Sequence, residues 1–279
     1  MNSSNRSTPP TAPHATLIGG RGFIGRHLYT RLLALGWTCY LAERGDAVFN
    51  TQALGHVFYC AGLTADFRQR PYATVEAHVE LLRRVLENCQ FTSLTYLSST
   101  RVYAGAMSTN EDAALLVRSQ EPGDLYNLSK LLGESLCINS QRPVRIVRLS
   151  NVYGTAMPEQ NFLADVLSKA AREKLVHFRS APDSQKDYIA IADVVRYLPA
   201  IALQANHQLY NVASGRNYRH ADIAAFLQTM GVQCRFEADA IATTFPPIDA
   251  SRLHTEFGAP EHHLANELPQ LYSHYCETL

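Results

Sequence analysis

The sequence predicts an α/β protein built on a doubly wound parallel sheet. Short apolar runs, at residues 15–18, 56–60 and 94–97, alternate with longer segments in which apolar residues recur at helical spacing. A glycine-rich turn separates the first apolar run from the first helical segment. Because strand, helix and strand in succession form the unit of a parallel sheet, this order predicts helices on both faces of the sheet.

The composition limits the classes of function. Lysine plus arginine equals aspartate plus glutamate at 25 each, which argues against affinity for nucleic acid or for an anionic membrane surface. No apolar run approaches the roughly 18 residues of a membrane span. The six cysteines lack C-x-x-C spacing, and the adjacent His262 and His263 lack further ligands, so neither a disulfide framework nor a metal is expected. We expect a cytoplasmic protein whose residues 1–13 form a disordered leader.

The glycine turn is a candidate site for a dinucleotide. Glycines three residues apart permit a tight turn, close approach of a pyrophosphate, and close packing of helix on sheet. The helix that follows offers its first amides and the positive end of its dipole. A purely structural turn is the alternative. The position between a strand and a helix favours a cofactor site formed by Gly19, Arg21, Gly22, Phe23, Ile24 and Gly25.

The end of the second predicted strand bears on the choice between NAD and NADP. Glu43 and Arg44 follow this strand, where such units meet the adenosine ribose. The Glu43 carboxylate would accept hydrogen bonds from a 2′-hydroxyl, which indicates NAD. The guanidiniums of Arg44 and Arg21 would favour a 2′-phosphate, unless either stacks on the adenine. By the count of charges, the expected cofactor is NAD(P) with a preference for NADP.

Small residues extend the candidate cofactor site to the next strand. Residues 45–54 are too few for a helix and a further strand, so the sheet is predicted to be trimmed beyond the second strand. The third strand then leads into residues that let a cofactor lie against the backbone, namely Cys60, Ala61 and Gly62. In the charged loop 63–71, Thr64 is a candidate substrate contact, although a solvated loop is an equal alternative.

A tyrosine and a lysine four residues apart form the candidate catalytic pair. Tyr126 and Lys130 fall on one face of a predicted helix. The lysine ammonium can therefore favour the phenolate of a group that titrates near about 10 unaided. Hydroxyl residues, including Ser99 and Thr100, end the preceding strand at the same edge of the sheet as the glycine turn. The alternatives are an ordinary amphipathic helix and serines that cap a turn.

In sequence order these motifs resemble those of the extended short-chain dehydrogenase/reductases, the NAD-dependent epimerase/dehydratase family. The resemblance extends from about residue 15 to the C-terminus. It includes Glu134 on the helix of the catalytic pair, Arg-Leu-Ser-Asn-Val-Tyr-Gly at 148–154, Lys-Asp-Tyr at 186–188, and Tyr-Asn-Val-Ala-Ser-Gly at 210–215. Several motifs at compatible spacing make this family assignment specific, whereas each alone would be weak.

The resemblance implies a role for each catalytic candidate. Tyr126 is the acid/base, Lys130 lowers its pKa and holds the nicotinamide ribose, and Ser99 polarises the substrate carbonyl or hydroxyl. Thr100 takes the place of Ser99 if the register is shifted by one residue. Hydride moves between the nicotinamide and a carbinol carbon while the proton moves through the phenol.

The resemblance also implies the organisation of the chain. Residues 14–152 plus about 187–213 would form a Rossmann-type dinucleotide-binding domain. Residues from about 153–186 plus 214–279 would form a small C-terminal α/β substrate-binding domain. A homodimer is expected, in which helix 74–89 and the helix of the catalytic tyrosine pair across a two-fold axis into a four-helix bundle.

Substrate contacts and departures from the family pattern follow from the same resemblance. Asn161 and Lys186 stand where relatives contact the nucleotide diphosphate, and Lys186 replaces an arginine. His78 replaces an asparagine and either keeps a structural hydrogen bond or tunes the site. Thr100 and Arg101 replace the acidic pair of 4,6-dehydratases, so dehydration is set aside. A surface role is the alternative for Asn161, Lys186 and Arg252. The full set of expected substrate contacts is Thr64, Thr100, Arg101, Asn151, Asn161, Lys186 and Arg252.

The sequence therefore predicts an NAD(P)-dependent oxidoreductase or epimerase. The expected substrate is a nucleotide-activated sugar, and the expected reaction is 4-ketoreduction or 4-epimerisation. Reduction of a non-sugar carbonyl is one alternative. A protein that senses NAD(P) without turnover is another, although the presence of both Tyr126 and Lys130 argues against it. The sugar, the nucleotide base and the stereochemistry stay open.

Overall fold

The structure, a computed structural model, describes residues 12–43, 45–46, 53–64 and 66–278. It confirms the predicted α/β class, with a Rossmann-type parallel sheet between two layers of helices. Arg44 and residues 1–11 of the predicted leader lie outside the described residues. In the part of the chain that is described, no helix is both long and apolar enough to cross a membrane, and no group of three or more His, Cys, Asp or Glu residues could hold a metal ion.

Within the described residues, the main sheet has six parallel strands in the order β2-β1-β3-β4-β5-β9. In chain order these are β1 (His14–Ile18), β2 (Thr38–Ala42), β3 (His56–Tyr59), β4 (Ser93–Ser99), β5 (Val144–Leu149) and β9 (Leu209–Val212). Strand β2 is the outer strand on its side of the described sheet, as the trimmed edge predicts, although residues 47–52 lie outside the described residues. The chain runs first from β1 to β2 and then returns to β3, so the sheet order reverses beside β1.

Helices cover both faces of this sheet. Helices α1 (Phe23–Ala34) and α5 (Ile191–Gln204) pack on one face through residues such as Leu28 and Leu198. On the other face lie α3 (Asp124–Asn139) and α2, which spans 71–88 and packs through Leu82. Helix α2 joins the α-helical segments Pro71–Val75 and Leu81–Asn88 through a π-helical turn, Glu76–Glu80.

A second hydrophobic core lies beyond the main sheet. Helices α4 (Phe162–Glu173), α6 (His220–Thr229) and α8 (Leu264–Thr278) surround it. Its strands form a three-stranded sheet of β6 (Asn151–Tyr153), β8 (Gln185–Ala190) and β10 (Asn217–Arg219), and a parallel pair of β7 (Leu175–Phe178) and β11 (Gln233–Phe236). Helix α7 (Ser251–Phe257) packs on β9 instead, with Leu253 in the main core. Phe23, the first residue of α1, contacts both cores.

Local signals fix where several helices begin and end. Helix α1 ends two residues before Gly36, which adopts a φ of +80° and whose amide donates to the Leu33 carbonyl at 2.9 Å. Helix α4 begins after Asn161, whose side-chain oxygen accepts from the Leu163 and Ala164 amides. Both ends follow from residue types that favour these caps.

Candidate active site

The glycine turn closes against the chain that follows β3. Gly19 has a φ of +79°, and a Cβ at this position would lie 2.6 Å from the Ala61 backbone nitrogen. A Cβ on Gly25 would lie 2.6 Å from the Gly19 carbonyl oxygen. The Cys60 amide donates to the last carbonyl of β1 at 2.8 Å. The turn and residues 60–62 therefore border one crevice at the carboxyl end of the sheet, where the strand order reverses.

The start of α1 fits a dinucleotide pyrophosphate. Gly22 occupies the N-cap, no side chain caps the helix, and the first turn contains no acidic residue. The first amides of the helix and its positive dipole end therefore suit an anion. A Cβ on Gly22 would meet only the Gly19 oxygen, at 3.3 Å, so the backbone at this point is open to close approach.

Two predicted cofactor residues of α1 pack into the protein. The Phe23 ring lies edge-on to His27, with centroids 5.1 Å apart, and touches both hydrophobic cores. Ile24 packs against the core of the main sheet. Their observed contacts are thus with the protein interior, and their contact with a cofactor stays a prediction.

The two charges that support opposite cofactors form an ion pair with each other. The Arg21 guanidinium bonds to the Glu43 carboxylate, and both side chains are mostly exposed, at 77% and 60%. Arg21 is therefore already engaged by an acid at the corner where the adenosine ribose is expected. This pairing weakens the electrostatic attraction of Arg21 for a 2′-phosphate, which the sequence analysis counted together with that of Arg44.

Lys130 lies buried beneath the crevice. Its Nζ donates to the Leu97 carbonyl at 2.8 Å, and a Cβ on Gly62 would lie 3.4 Å from it. Only 4% of the residue is exposed. Burial lowers the pKa of Lys130 to about 7, against the opposing charge of Glu134. The amine can therefore gain or lose a proton near neutral pH, and it lies next to the protein backbone that is predicted to contact the cofactor.

The Ser99 hydroxyl lies near enough to Tyr126 to lower its pKa, so the structure brings the predicted acid/base and the predicted polarising hydroxyl together. Burial raises the pKa of Tyr126, while the nearby Ser99 hydroxyl and the charge of Arg101 lower it. Arg101, predicted as a substrate contact, is thus a cation that favours the phenolate. The corresponding role of Lys130 stays a prediction. Thr100 lies buried at the start of the short 3₁₀ helix Thr100–Tyr103.

His78 supports the tyrosine from the π-helical turn of α2. Its Nε2 accepts from the Leu63 amide at 3.2 Å, so Nδ1 carries the proton and donates to the Ser129 hydroxyl at 2.8 Å. Ser129 in turn donates to the Tyr126 carbonyl at 2.9 Å. Burial, with a contribution from the charge of Lys130, lowers the pKa of His78 to about 2. The imidazole is therefore neutral, and its contacts match the structural role expected for it.

A buried ion pair lies behind the catalytic helix. Glu134 accepts from the Ser98 hydroxyl at 2.5 Å and from Arg148 at 2.6 Å. Arg148 also donates to the Tyr103 hydroxyl at 2.7 Å, and Tyr103 donates to Asn211 at 2.8 Å. This chain of contacts joins α3 to β4, β5 and β9. It fixes the helix that carries Tyr126 and Lys130.

Three predicted substrate contacts lie on elements around the second core: Lys186 and Asn161, which are expected at the diphosphate, and Asn151. Lys186 sits over the Phe162 ring, with its Nζ 5.0 Å from the centroid, and burial and Arg101 lower its pKa. The Asn161 oxygen is engaged as the cap of α4, and the Asn151 amide donates to the Asp187 carbonyl at 2.8 Å. Among these residues Lys186 lies close enough to Arg101 for the Arg101 charge to act on its ammonium.

Two other predicted substrate residues have different surroundings. Thr64 is exposed in the loop after β3. Arg252 lies by the start of β9, where it donates to the Leu209 carbonyl at 3.0 Å and pairs with Asp112 at 2.7 Å. The structure thus holds Arg252 at the amino end of a sheet strand, whereas Tyr126 and the glycine turn border the carboxyl end.

Phe67 and Arg68 also lie beside Tyr126, although neither is among the site residues predicted from the sequence. Phe67 is 1% exposed and its ring lies 5.4 Å from that of Tyr126. The guanidinium carbons of Arg68 and Arg101 lie 4.6 and 5.1 Å from the Phe67 centroid. A lone aromatic residue within a charged loop was the available signal for this cluster.

The glycine turn, the reversal of strand order beside it and the enclosed Tyr126 define a dinucleotide-binding enzyme of the Rossmann type. The NAD-dependent epimerase/dehydratase family model matches residues 15–213. The chain belongs to this family, as the sequence motifs indicate.

Individual relatives are distant. A bovine (Bos taurus) sterol-4-alpha-carboxylate 3-dehydrogenase, decarboxylating, is 22% identical over 76% of this chain and 65% of its own length, so the chain spans about two thirds of that relative. Among solved structures, UDP-glucuronic acid 4-epimerase from Bacillus cereus, in complex with UDP-glucuronic acid and NAD, matches with a TM-score of 0.78 and 18% identity over 95% of this chain and 100% of that one. RMD from Pseudomonas aeruginosa, complexed with NADPH, matches with a TM-score of 0.80 and 20% identity over the same shares.

Proposed function

We propose that this protein is a 4-epimerase or 4-ketoreductase of a nucleotide-activated sugar. The single observation that carries the proposal is the placement of the Ser99 hydroxyl near Tyr126, on the helix that also carries the buried Lys130. Family membership supplies the general chemistry, and similar structures of nucleotide-sugar enzymes support the substrate class.

In the proposed mechanism the residues of the chain handle the proton. The glycine turn of Gly19, Gly22 and Gly25 would hold NAD(P), which would supply the acceptor or donor of the hydride when bound. Tyr126 takes the hydroxyl proton when the substrate carbinol is oxidised and returns it to the oxygen on reduction. Ser99 donates a hydrogen bond to the same oxygen. Lys130, with its pKa of about 7, lies next to the protein backbone at Gly62, where the cofactor is expected to bind. Arg101 favours the phenolate that forms when Tyr126 gives up its proton.

We infer that the cofactor is NAD. The count of arginines in the sequence favours NADP, but the Arg21–Glu43 ion pair supports NAD. A 2′-hydroxyl can donate to Glu43 without breaking the pair, whereas a 2′-phosphate must compete with that carboxylate for Arg21.

Titration with NADH and NADPH, followed by turnover assays with Tyr126→Phe, tests the proposal. The purified protein should bind NADH, and the variant should keep that binding while turnover falls by about 10²- to 10⁴-fold. Tyr72→Phe is the control, because Tyr72 is 89% exposed on α2. Absence of binding to both cofactors, or full activity of Tyr126→Phe, would overturn the proposal.

A second assay separates the two reactions. An epimerase returns the hydride to the sugar, so it converts substrate without net change in absorbance at 340 nm. A reductase consumes one reduced cofactor per turnover. A second candidate function, oxidation of a non-sugar alcohol, has support in the similarity to the bovine sterol-carboxylate dehydrogenase. Turnover of a sterol alcohol, with none of nucleotide sugars, would favour that candidate.

A further inference from the structure

We propose that Arg68 and Arg101 form an anion site beside Tyr126, and that this site binds a carboxylate carried by the sugar of the substrate, as in a nucleotide-activated uronic acid. The proposal rests on the proposed function and narrows its substrate class. It concerns a different group of the substrate from the diphosphate, for which Lys186 and Asn161 are the expected contacts.

The two guanidiniums are held together by an aromatic platform. Both stack near the buried Phe67 ring, at 4.6 Å for Arg68 and 5.1 Å for Arg101. A Cβ on Gly123 would lie 3.3 Å from an Nη of Arg101 and 3.5 Å from an Nη of Arg68. The tips of the two side chains therefore converge on one point at the start of α3.

Neither guanidinium has an acidic partner among the described residues, since no carboxylate oxygen there lies within 4.0 Å of either one. The side chain of Arg101 donates one long hydrogen bond, at 3.4 Å, to the Gly123 carbonyl. In the same loop, by contrast, Arg70 pairs with Asp66 at 3.2 Å. Two like charges that converge without a counter-charge are stabilised by an anionic ligand.

The local charge suits one carboxylate. Asp124 is near enough to act on Arg101 through its charge, but its oxygens accept from the Arg118 amide at 2.7 Å and from Asn127 at 2.9 Å. The guanidiniums of Arg68 and Arg101 and the carboxylate of Asp124 together leave a net positive charge of one. A planar carboxylate also matches the fork of a guanidinium, so it can bind one arginine in a bidentate manner and approach the other.

The position relative to Tyr126 limits where this carboxylate lies on the substrate. The Arg101 guanidinium carbon is 5.6 Å from the Tyr126 centroid, and the Arg101 amide donates to the Ser99 hydroxyl at 3.2 Å. An anion on Arg101 is therefore only a few bonds from the carbon whose oxygen meets Tyr126 and Ser99. In a hexose that reacts at carbon 4, carbon 6 is two bonds away, and its oxidation to a carboxylate gives a uronic acid.

Burial and the charge of Arg68 lower the pKa of Arg101, which shows that the guanidinium charge is poorly solvated at this position. Lys186 adds further repulsion from the second core. A bound carboxylate relieves this repulsion.

Paired ligands that differ only at carbon 6 test the proposal. We would measure dissociation constants of the cofactor-loaded protein for UDP-glucuronic acid against UDP-glucose, and for GDP-mannuronic acid against GDP-mannose. In at least one pair, the uronic acid should bind about 10- to 100-fold more tightly than the neutral sugar. Arg101→Ala and Arg68→Ala should each reduce this ratio toward one, and Arg68→Ala should leave affinity for the neutral sugar within about threefold.

Arg70→Ala is the matched control, because Arg70 lies in the same loop and is already paired with Asp66. It should leave the ratio unchanged. Equal binding of both members of each pair, or an unchanged ratio in both arginine variants, would overturn the anion site while the nucleotide-sugar function stands. If the protein binds NADH but none of the four sugars, the proposed function fails and the anion site fails with it.

Discussion

Main-chain groups form one side of the crevice, and side chains form the other. On the cofactor side, main-chain groups of Gly19, Gly22 and Ala61 form the surface, and the charged pair Arg21 and Glu43 neutralises itself. On the substrate side, side chains form the surface, and Arg68 and Arg101 have no acidic partner among the described residues. Charges that are satisfied within the protein select a ligand weakly, whereas unsatisfied charges select it strongly.

The largest expected effect comes from the ion pair behind the catalytic helix. Glu134→Gln should lower the free energy of unfolding by about 3–5 kcal/mol, because Arg148 stays buried without its carboxylate. Urea denaturation measures this loss. Glu87→Gln is the control, since Glu87 pairs with Arg83 on an exposed helix face, and its cost should be within about 1 kcal/mol. Equal costs in the two variants would mean that burial does not distinguish these pairs.

The next effect tests whether the close approach of the glycine turn to Ala61 is needed for stability and for NADH binding. Gly19→Ala should cost about 2–3 kcal/mol of stability and weaken NADH binding, because its Cβ would lie 2.6 Å from the Ala61 nitrogen. Gly36→Ala has the same positive φ with no atom within 4 Å of the new Cβ, so it isolates the backbone strain. Thermal denaturation and NADH titration of both variants give the comparison. If the two behave alike, the close approach to Ala61 is unimportant.

A smaller effect is expected from the exposed ion pair. Glu43→Gln should shift the ratio of NADPH to NADH affinity by about 3- to 10-fold toward NADPH, because it frees Arg21 and removes a negative charge. Fluorescence titration at low salt measures the ratio, with Glu87→Gln as a distant control. A ratio that does not move would mean that Glu43 does not contact the ribose corner.

The last effect concerns acid stability. The pKa of His78 is about 2 in the folded protein, below its unfolded value, so the unfolded state binds the extra proton as the pH falls below about 6.5. Stability should therefore fall with pH in this range, by up to about 1.4 kcal/mol per pH unit for one proton. His78→Asn should make the slope between pH 6 and 4 shallower. His220, with its pKa lowered to about 4, adds to the same slope.

Unfolding free energies measured at several pH values provide the check. His177→Asn is a suitable control, because His177 is exposed on β7. A slope in His78→Asn equal to that of the parent protein would show that the buried imidazole does not govern acid stability.

Local patterns were sufficient to predict the glycine turn and the parallel sheet around it. The spacing of Gly19, Gly22 and Gly25 after an apolar run specifies a tight turn. The backbone conformation of such a turn depends on residues that are neighbours in the chain, so the sequence alone can indicate it. The order of strands and helices likewise gave the parallel sheet. Ser99 and the helical pair Tyr126 and Lys130 are predicted site residues because their spacing is local and their motif is shared by a family.

The substrate side depends on contacts between residues far apart in sequence. Arg68 and Arg101 meet over Phe67 only after the loop folds onto the start of α3, and no spacing rule predicts that contact. The same holds for Arg252, an arginine near the end of the chain whose partners, Leu209 and Asp112, lie well before it. The Arg21–Glu43 pair spans 22 residues, so the sequence displayed two opposing charges without showing that they bind each other.

Phe23 has a consequence for how the molecule unfolds. The first residue of the cofactor helix contributes its ring to both hydrophobic cores. Separating the cores exposes more of that half-buried ring to water, at a cost of at most about 1.5–3 kcal/mol, before any other contact is lost. The two cores are therefore expected to melt together in one cooperative transition, and amide hydrogen exchange in α1 should report the global free energy of unfolding of both.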